Sequence, residues 1–162
     1  RLAVEEHMLL GQAFDGKPLQ ITLDEQPFAR GASASIYRGK TVETDARVVV
    51  VKVPGMLEPA QEQMLIRELR TARQVSLRHP SILPYLGTVN IRDHTAIVSA
   101  FMQNGNLMDF LKANQGWNKQ KLILQVAEAV DYLHSVERLV HGDLKCVRFF
   151  NEFNLRRDAD QD

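Results

Sequence analysis

Arg47-Val48-Val49-Val50-Val51-Lys52-Val53 is the stretch on which the fold turns. It is almost continuously β-branched, and such side chains fit a pleated, half-buried strand. The one interruption, Lys52, places a long cation inside an apolar run, which is unfavourable unless its ammonium reaches a partner or solvent. The lysine therefore asks for an anion. Pro54-Gly55 ends the strand.

Working outward, short alternating stretches from Leu19 to Arg38 surround a cluster of small residues, Arg30-Gly31-Ala32-Ser33-Ala34-Ser35. With the valine run they read as antiparallel strands joined by tight turns. Arg1 to Pro18 carries only scattered apolar residues, closes on Asp15-Gly16-Lys17-Pro18, and reads as an extension of unassigned structure. After the valine run, Pro59 sits where a helix can begin, because its missing amide hydrogen is not needed in the first turn. A helix is predicted to about Ser76, with Leu65, Leu69 and Ala72 on one stripe and Arg67, Arg70 and Arg73 away from it. His79-Pro80 stops it. Ile82 to Val89 and Thr95 to Met102 read as two more strands with Arg92-Asp93 in the turn. Asn104-Gly105-Asn106 then marks a lobe boundary, and everything from Leu107 to Leu139 is helix-like, with Leu122, Val126, Ala129, Val130 and Leu133 on one stripe and Lys121, Gln125, Glu128 and Ser135 opposite.

Composition bounds the function. At 162 residues, 44% hydrophobic and 25% charged, the chain has the profile of one globular domain. Twenty basic residues balance twenty acidic ones, so no global field draws it to nucleic acid or an anionic membrane, and any anion site is local. Cys146 is the only cysteine, which excludes an intramolecular disulfide and a cysteine-built metal site and suits a reducing, cytoplasmic setting. No apolar run reaches the roughly 18 residues of a membrane helix. Since the chain starts at Arg1, it reads as a fragment of something longer.

Three features carry chemistry. Glu68 stands on the inward stripe of the predicted helix without a basic neighbour on its own helix, so packing against the sheet would bring it to Lys52 and aim the ammonium at a phosphate. Taken singly, the two also read as an edge-strand lysine and a helix acid at the solvent margin. The small-residue loop before Tyr37 lets backbone amides approach phosphate oxygens, and equally reads as an ordinary hairpin turn. Val140-His141-Gly142-Asp143-Leu144-Lys145 sets an acid beside a base in a turn, a pair able to accept a hydroxyl proton and neutralise a transferring phosphate, and it also reads as a helix-terminating loop with solvated charges.

The order of these parts, together with His79-Pro80-Ser81-Ile82-Leu83, resembles the protein kinase superfamily from about Ile21 to Cys146, in particular its tyrosine-kinase-like and related serine/threonine group. The resemblance implies an α+β fold: a five-stranded antiparallel N-lobe sheet with one packed helix at residues 19–102, and a partial helical C-lobe at 103–146. Residues 1–18 would be an extension and 147–162 an unrelated tail. It places Ala29, Gly31 and Ala34 at the three glycines of the phosphate-covering loop and Ile36 at the valine that follows. Lys52 and Glu68 take the anchoring ion pair, Ser99 the small gatekeeper, Ala100 to Met102 the adenine-binding hinge, Asp143 the catalytic base and Lys145 its phosphate-binding neighbour. ATP and magnesium are the implied cofactors, and a protein substrate or a partner kinase the implied partner.

The resemblance breaks after Cys146. Arg148 stands where the family has a magnesium-holding asparagine, and no Asp-Phe-Gly follows. A cation there repels the metal. The sequence thus implies a serine/threonine kinase homologue that binds ATP but, truncated in this way, is catalytically inactive. A pseudokinase-like module and a non-functional fragment of a mispredicted gene are the competing readings.

Overall fold

The computed structural model describes residues 8–31, 34–42, 45–55, 57–91, 94–105 and 107–140. They fall into two compact units, one holding residues up to 73 together with 84–101, the other 74–83 and the chain from Met102.

The first unit is built on seven strands: β1 Met8–Ala13, β2 Pro18–Leu23, β3 Ala29–Arg30, β4 Ala34–Thr41, β5 Val48–Pro54, β6 Tyr85–Ile91 and β7 His94–Ala100. Their order is β2-β1-β6-β7-β5-β4-β3, and β2 also pairs with β4. That last pairing closes the sheet on itself. Every pairing is antiparallel. Val49 and Val51 on β5, with Ile21, Val89 and Val98, are fully buried in the core, joined there by Leu9, Leu19 and Ala96. The period-2 alternation of strand side chains therefore sends Val48, Val50 and Lys52 to the other face.

The five-stranded expectation is corrected here. Two of the additional pairings come from the segment read as an extension, because β1 inserts between β2 and β6. Its turn is made by Asp15-Gly16: Gly16 has φ +88, the Ala13 amide donates to the Lys17 carbonyl at 2.9 Å, and the Lys17 amide donates to Asp15 Oδ1 at 3.1 Å. A positive φ is the conformation that glycine adopts without steric cost. Residues 24–28 interrupt the first arm of the next hairpin, so β2 and β3 lie along the same side of β4.

Helix α1 runs Pro59–Ser76, as the sequence predicts. The Glu58 amide, left without a helical partner, donates to Gln61 Oε1 at 3.0 Å. Leu69 and Val75 are buried and Leu65 and Ala72 half-buried, but Glu68 is exposed. Glu62 in the first turn accepts from the Thr95 amide at 3.1 Å and ties α1 to β7.

In the second unit the helix-like stretch comprises the two helices that the resemblance implies, α2 Leu107–Ala113 and α3 Lys119–Asp131, the latter extended by one π-helical turn, Tyr132–Val136. The break is polar. Asn114 Nδ2 donates to the Phe110 carbonyl, and Asn118 caps α3 by accepting from the Lys121 amide at 3.1 Å. An N-cap of this kind stabilises a helix by about 1 kcal/mol. Leu122 and Ala129 are buried on the predicted stripe. Gln125, expected on the solvent side, is half-buried, with its Oε1 buried and unbonded. Among the described residues no helix is long and apolar enough to cross a membrane.

Residues 74–83 join the end of α3 through one polar cluster. Tyr132 donates to Glu137 Oε1 at 2.5 Å, Arg78 reaches the same carboxylate at 3.1 Å, and the His79 ring lies 4.9 Å from that of Tyr132. The hydrogen bond from Tyr132, then Arg78, holds the Glu137 carboxyl below its usual range, and the same bond raises the Tyr132 hydroxyl. Folded Glu137 thus takes up its proton less readily than unfolded Glu137, so its stabilisation is present above the ordinary glutamate value of about 4.3 and fades as pH falls through the lower folded value. Over that acid range the melting temperature of wild type should fall more steeply than that of Glu137→Gln in a calorimetric pH series. Parallel curves would contradict the assignment.

Candidate functional site

Strand pairing collects the predicted residues on one face of the first unit. Ile36 on β4 stands opposite Lys52 on β5, and Lys52 opposite Ile97 on β7. Two residues along, Arg38 stands opposite Val50, and Val50 opposite Ser99. Directly opposed residues project to the same side of a sheet. The alternate residues Tyr37, Val49, Val51, Ala96 and Val98 belong to the core, so the two rows Ile36–Lys52–Ile97 and Arg38–Val50–Ser99 form the outer face.

That face is chemically divided. Ile97 and Ser99 on β7 are buried, and Val50 on β5 and Ile36 on β4 are half-buried. Lys52 is exposed and Arg38 is exposed beside it, its guanidinium 4.6 Å over the ring of Phe101 in a cation–π contact. An apolar platform flanked by an exposed ammonium suits a ligand with a flat apolar part and an anionic part. Sequence reasoning missed Val50 and Ile97. The signal for Val50 was available, since it lies two residues from Lys52 and a strand repeats every two.

The ion pair does not form. Lys52 and Glu68 are both exposed, and the ion pairs among the described residues are Lys17–Asp15, Arg78–Glu137 and Lys112–Asp109. The helix acid that does reach the sheet is Glu62, one and a half turns earlier. Helical periodicity places Glu68 on the stripe of Leu65 and Ala72, but stripe membership does not bring a carboxylate across to a strand.

In the small-residue loop, Ala29 pairs with Ile36 and the Gly31 amide donates to the Ala34 carbonyl at 2.8 Å. The Gly31 amide is thus spent on the Ala34 carbonyl. Gly31 lacks a left-handed φ, and a Cβ there would meet only the Ala34 carbonyl oxygen at 3.6 Å, an ordinary contact. The fold does not require glycine at this place. Ala32 and Ser33 lie outside the described residues, as do Asp143, Lys145 and Arg148.

Of the hinge residues, Ala100 ends β7 opposite Val49, its amide donating to the Pro84 carbonyl at 3.0 Å. Met102 belongs to the second unit, where its side chain is buried and its carbonyl accepts from the Gly105 amide at 3.1 Å. Among the described residues no group of three or more His, Cys, Asp or Glu side chains can hold a metal ion.

Comparison with known proteins identifies the family. Residues 22–149 match the family model described as protein tyrosine and serine/threonine kinase. A probable serine/threonine-protein kinase of Dictyostelium discoideum is 29% identical over 72% of this chain and 22% of its own length. A calcium/calmodulin-dependent protein kinase type 1 of Macrobrachium nipponense is 31% identical over 71% of this chain and 34% of its own. The serine/threonine-protein kinase STY46 of Arabidopsis thaliana is 26% identical over 78% and 22%. The chain thus spans between about a fifth and a third of the length of these relatives. The crystal structure of Rad53 1–466 in complex with AMP-PNP superposes with a TM-score of 0.62 at 24% identity, over 78% of this chain and 33% of that one, and shares the fold.

Because Glu68 is exposed and has no partner among the described residues, Glu68→Gln should change the unfolding free energy by less than about 0.5 kcal/mol, the range of an exposed substitution. Urea unfolding of the two proteins measures it, and a loss well beyond that range would reinstate the ion pair.

Proposed function

The chain belongs to the protein tyrosine and serine/threonine kinase family, and from that premise we propose that its β4–β5–β7 face binds ATP, with Lys52 as the phosphate anchor. The observation that supports this is the juxtaposition of Ile36, Val50, Ile97 and Ser99 with the exposed Lys52 across three paired strands. The apolar residues would take the adenine, and Lys52 would act as a point charge on a phosphate oxygen. The Ala100 backbone, at a hinge place, would recognise the adenine edge.

In the family reaction the γ-phosphate of ATP passes to a protein hydroxyl, and two of the relatives reported above are described as serine/threonine-protein kinases, one of them as a probable one. Here Asp143 would accept the hydroxyl proton and Lys145 would neutralise the transferring group. The charge of Arg148 opposes a metal in the same loop, so nucleotide binding is the stronger half of the proposal and phosphoryl transfer the weaker. Glycine at position 142, where the family has arginine, removes the usual receiver of an activation-loop phosphate.

A thermal-shift titration separates these points. At ATP concentrations 100-fold above its dissociation constant the folded state should gain about 2.7 kcal/mol. Lys52→Met should abolish the gain while melting like wild type without ligand. Gly31→Val should weaken the ATP shift by obstructing the loop. No ATP shift in wild type would overturn the reading.

A further inference from the structure

The hairpin Met8–Leu23 precedes almost all of the region matched by the family model, which begins at residue 22. Yet Leu9, Leu19 and Ile21 are three of the eight residues of the sheet core. The hairpin is also seamed on both sides. β1 pairs with β6 through Gly11–Val89, Gln12–Thr88 and Ala13–Gly87, and β2 pairs with β4 through Ile21–Thr41, Thr22–Lys40 and Leu23–Gly39. Between themselves β1 and β2 share five pairs. The hairpin is therefore held more extensively to itself than to either neighbour.

Each seam depends on glycine where no Cβ fits. A Cβ on Gly11 would fall 2.0 Å from the Thr88 carbonyl oxygen, one on Gly87 would fall 2.4 Å from that of Gln12, and one on Gly39 would fall 2.8 Å from both Ile21 Cγ2 and the Thr22 carbonyl oxygen. None of the three has a left-handed φ. Close backbone approach, and not φ, is what requires them.

We propose that Met8–Leu23 is a strap that closes the sheet between β6 and β4 and thereby sets the curvature of the β4–β5–β7 face. Opened at the β1–β6 seam, it leaves the β6 edge bare and frees β4, which carries Ile36, to move against β5. An unpaired edge accepts another strand, so an extended segment competing for β6 would hold the strap open. Control of nucleotide affinity by the strap rests on the ATP reading above; the opening itself does not.

Amide hydrogen exchange on the full chain by NMR tests the device, because it resolves local opening from global unfolding. In wild type, the Phe14 amide, bonded to the Leu86 carbonyl at 3.0 Å across the seam, should be at least about ten-fold less protected than the β5–β7 amides. In Gly11→Ala, exchange should rise at Phe14 and also at the Asp24 and Phe28 amides, which donate to the Arg38 and Ile36 carbonyls on β4. Saturating AMP-PNP should slow exchange at Phe14, and Gly11→Ala should weaken AMP-PNP in proportion, since coupling is reciprocal. Equal protection of Phe14 and the β5–β7 amides in wild type would overturn the strap, even if Gly11→Ala fails to fold. A rise confined to β1 in the variant would also overturn it. If wild type opens as described but binds no AMP-PNP, the strap stands and the nucleotide reading falls.

Discussion

The structure of the first unit depends on the burial of Val49 and Val51 between β4 and β7. Both are fully buried, and both sit on a strand paired on each side. Because strand side chains alternate, a slip of one residue would expose both valines and bury Lys52. The register of β5 is therefore fixed by the core. Lys52, Val50 and their neighbours on β4 and β7 reach the outer face as a consequence of what the inner face needs.

The same economy runs through the closure of the sheet. Leu9, Leu19 and Ile21 supply the core from the hairpin, and Gly11, Gly39 and Gly87 supply the room for backbones to meet. Glycine in a strand lacks a side chain to pack and costs conformational entropy. Here each is placed where any Cβ would collide, so the closed sheet accepts that cost at its seams. In the second unit, which has few buried apolar side chains, a polar cluster takes a comparable part: Glu137, with its side chain 13% exposed, accepts from both Tyr132 and Arg78.

Much of this was legible in the sequence. The bounds of α1 follow from Pro59 and the Leu65–Leu69–Ala72 spacing, and the valine run marks β5. The first strand was missed because Leu9 and Leu10 stand among polar and small residues. The turn signal was nevertheless present: Asp15-Gly16 between Leu9 and Leu19 is a hairpin junction once the apolar residues are read at period two. Two helices were expected in the stretch from Leu107, but the point of their break was not located, because Asn114 and Asn118 bond the backbone locally, a tendency that composition alone does not place.

What the sequence determined by itself is the list and order of parts: a strand lysine, a helix, a hinge and an acid-lysine loop, sufficient to place the chain among protein kinases. Local spacing encodes these, since helix and strand periods act over a few residues. What the tertiary structure decided is which parts meet. Lys52 joins Val50, Ile36, Ile97 and Ser99 through strand pairing, while Glu68 stays in solvent and Glu62 touches the sheet instead. Closure by β1 is also a tertiary result. It requires Gly11 and Gly87, 76 positions apart, to meet across one seam, and no local pattern in the chain specifies that encounter.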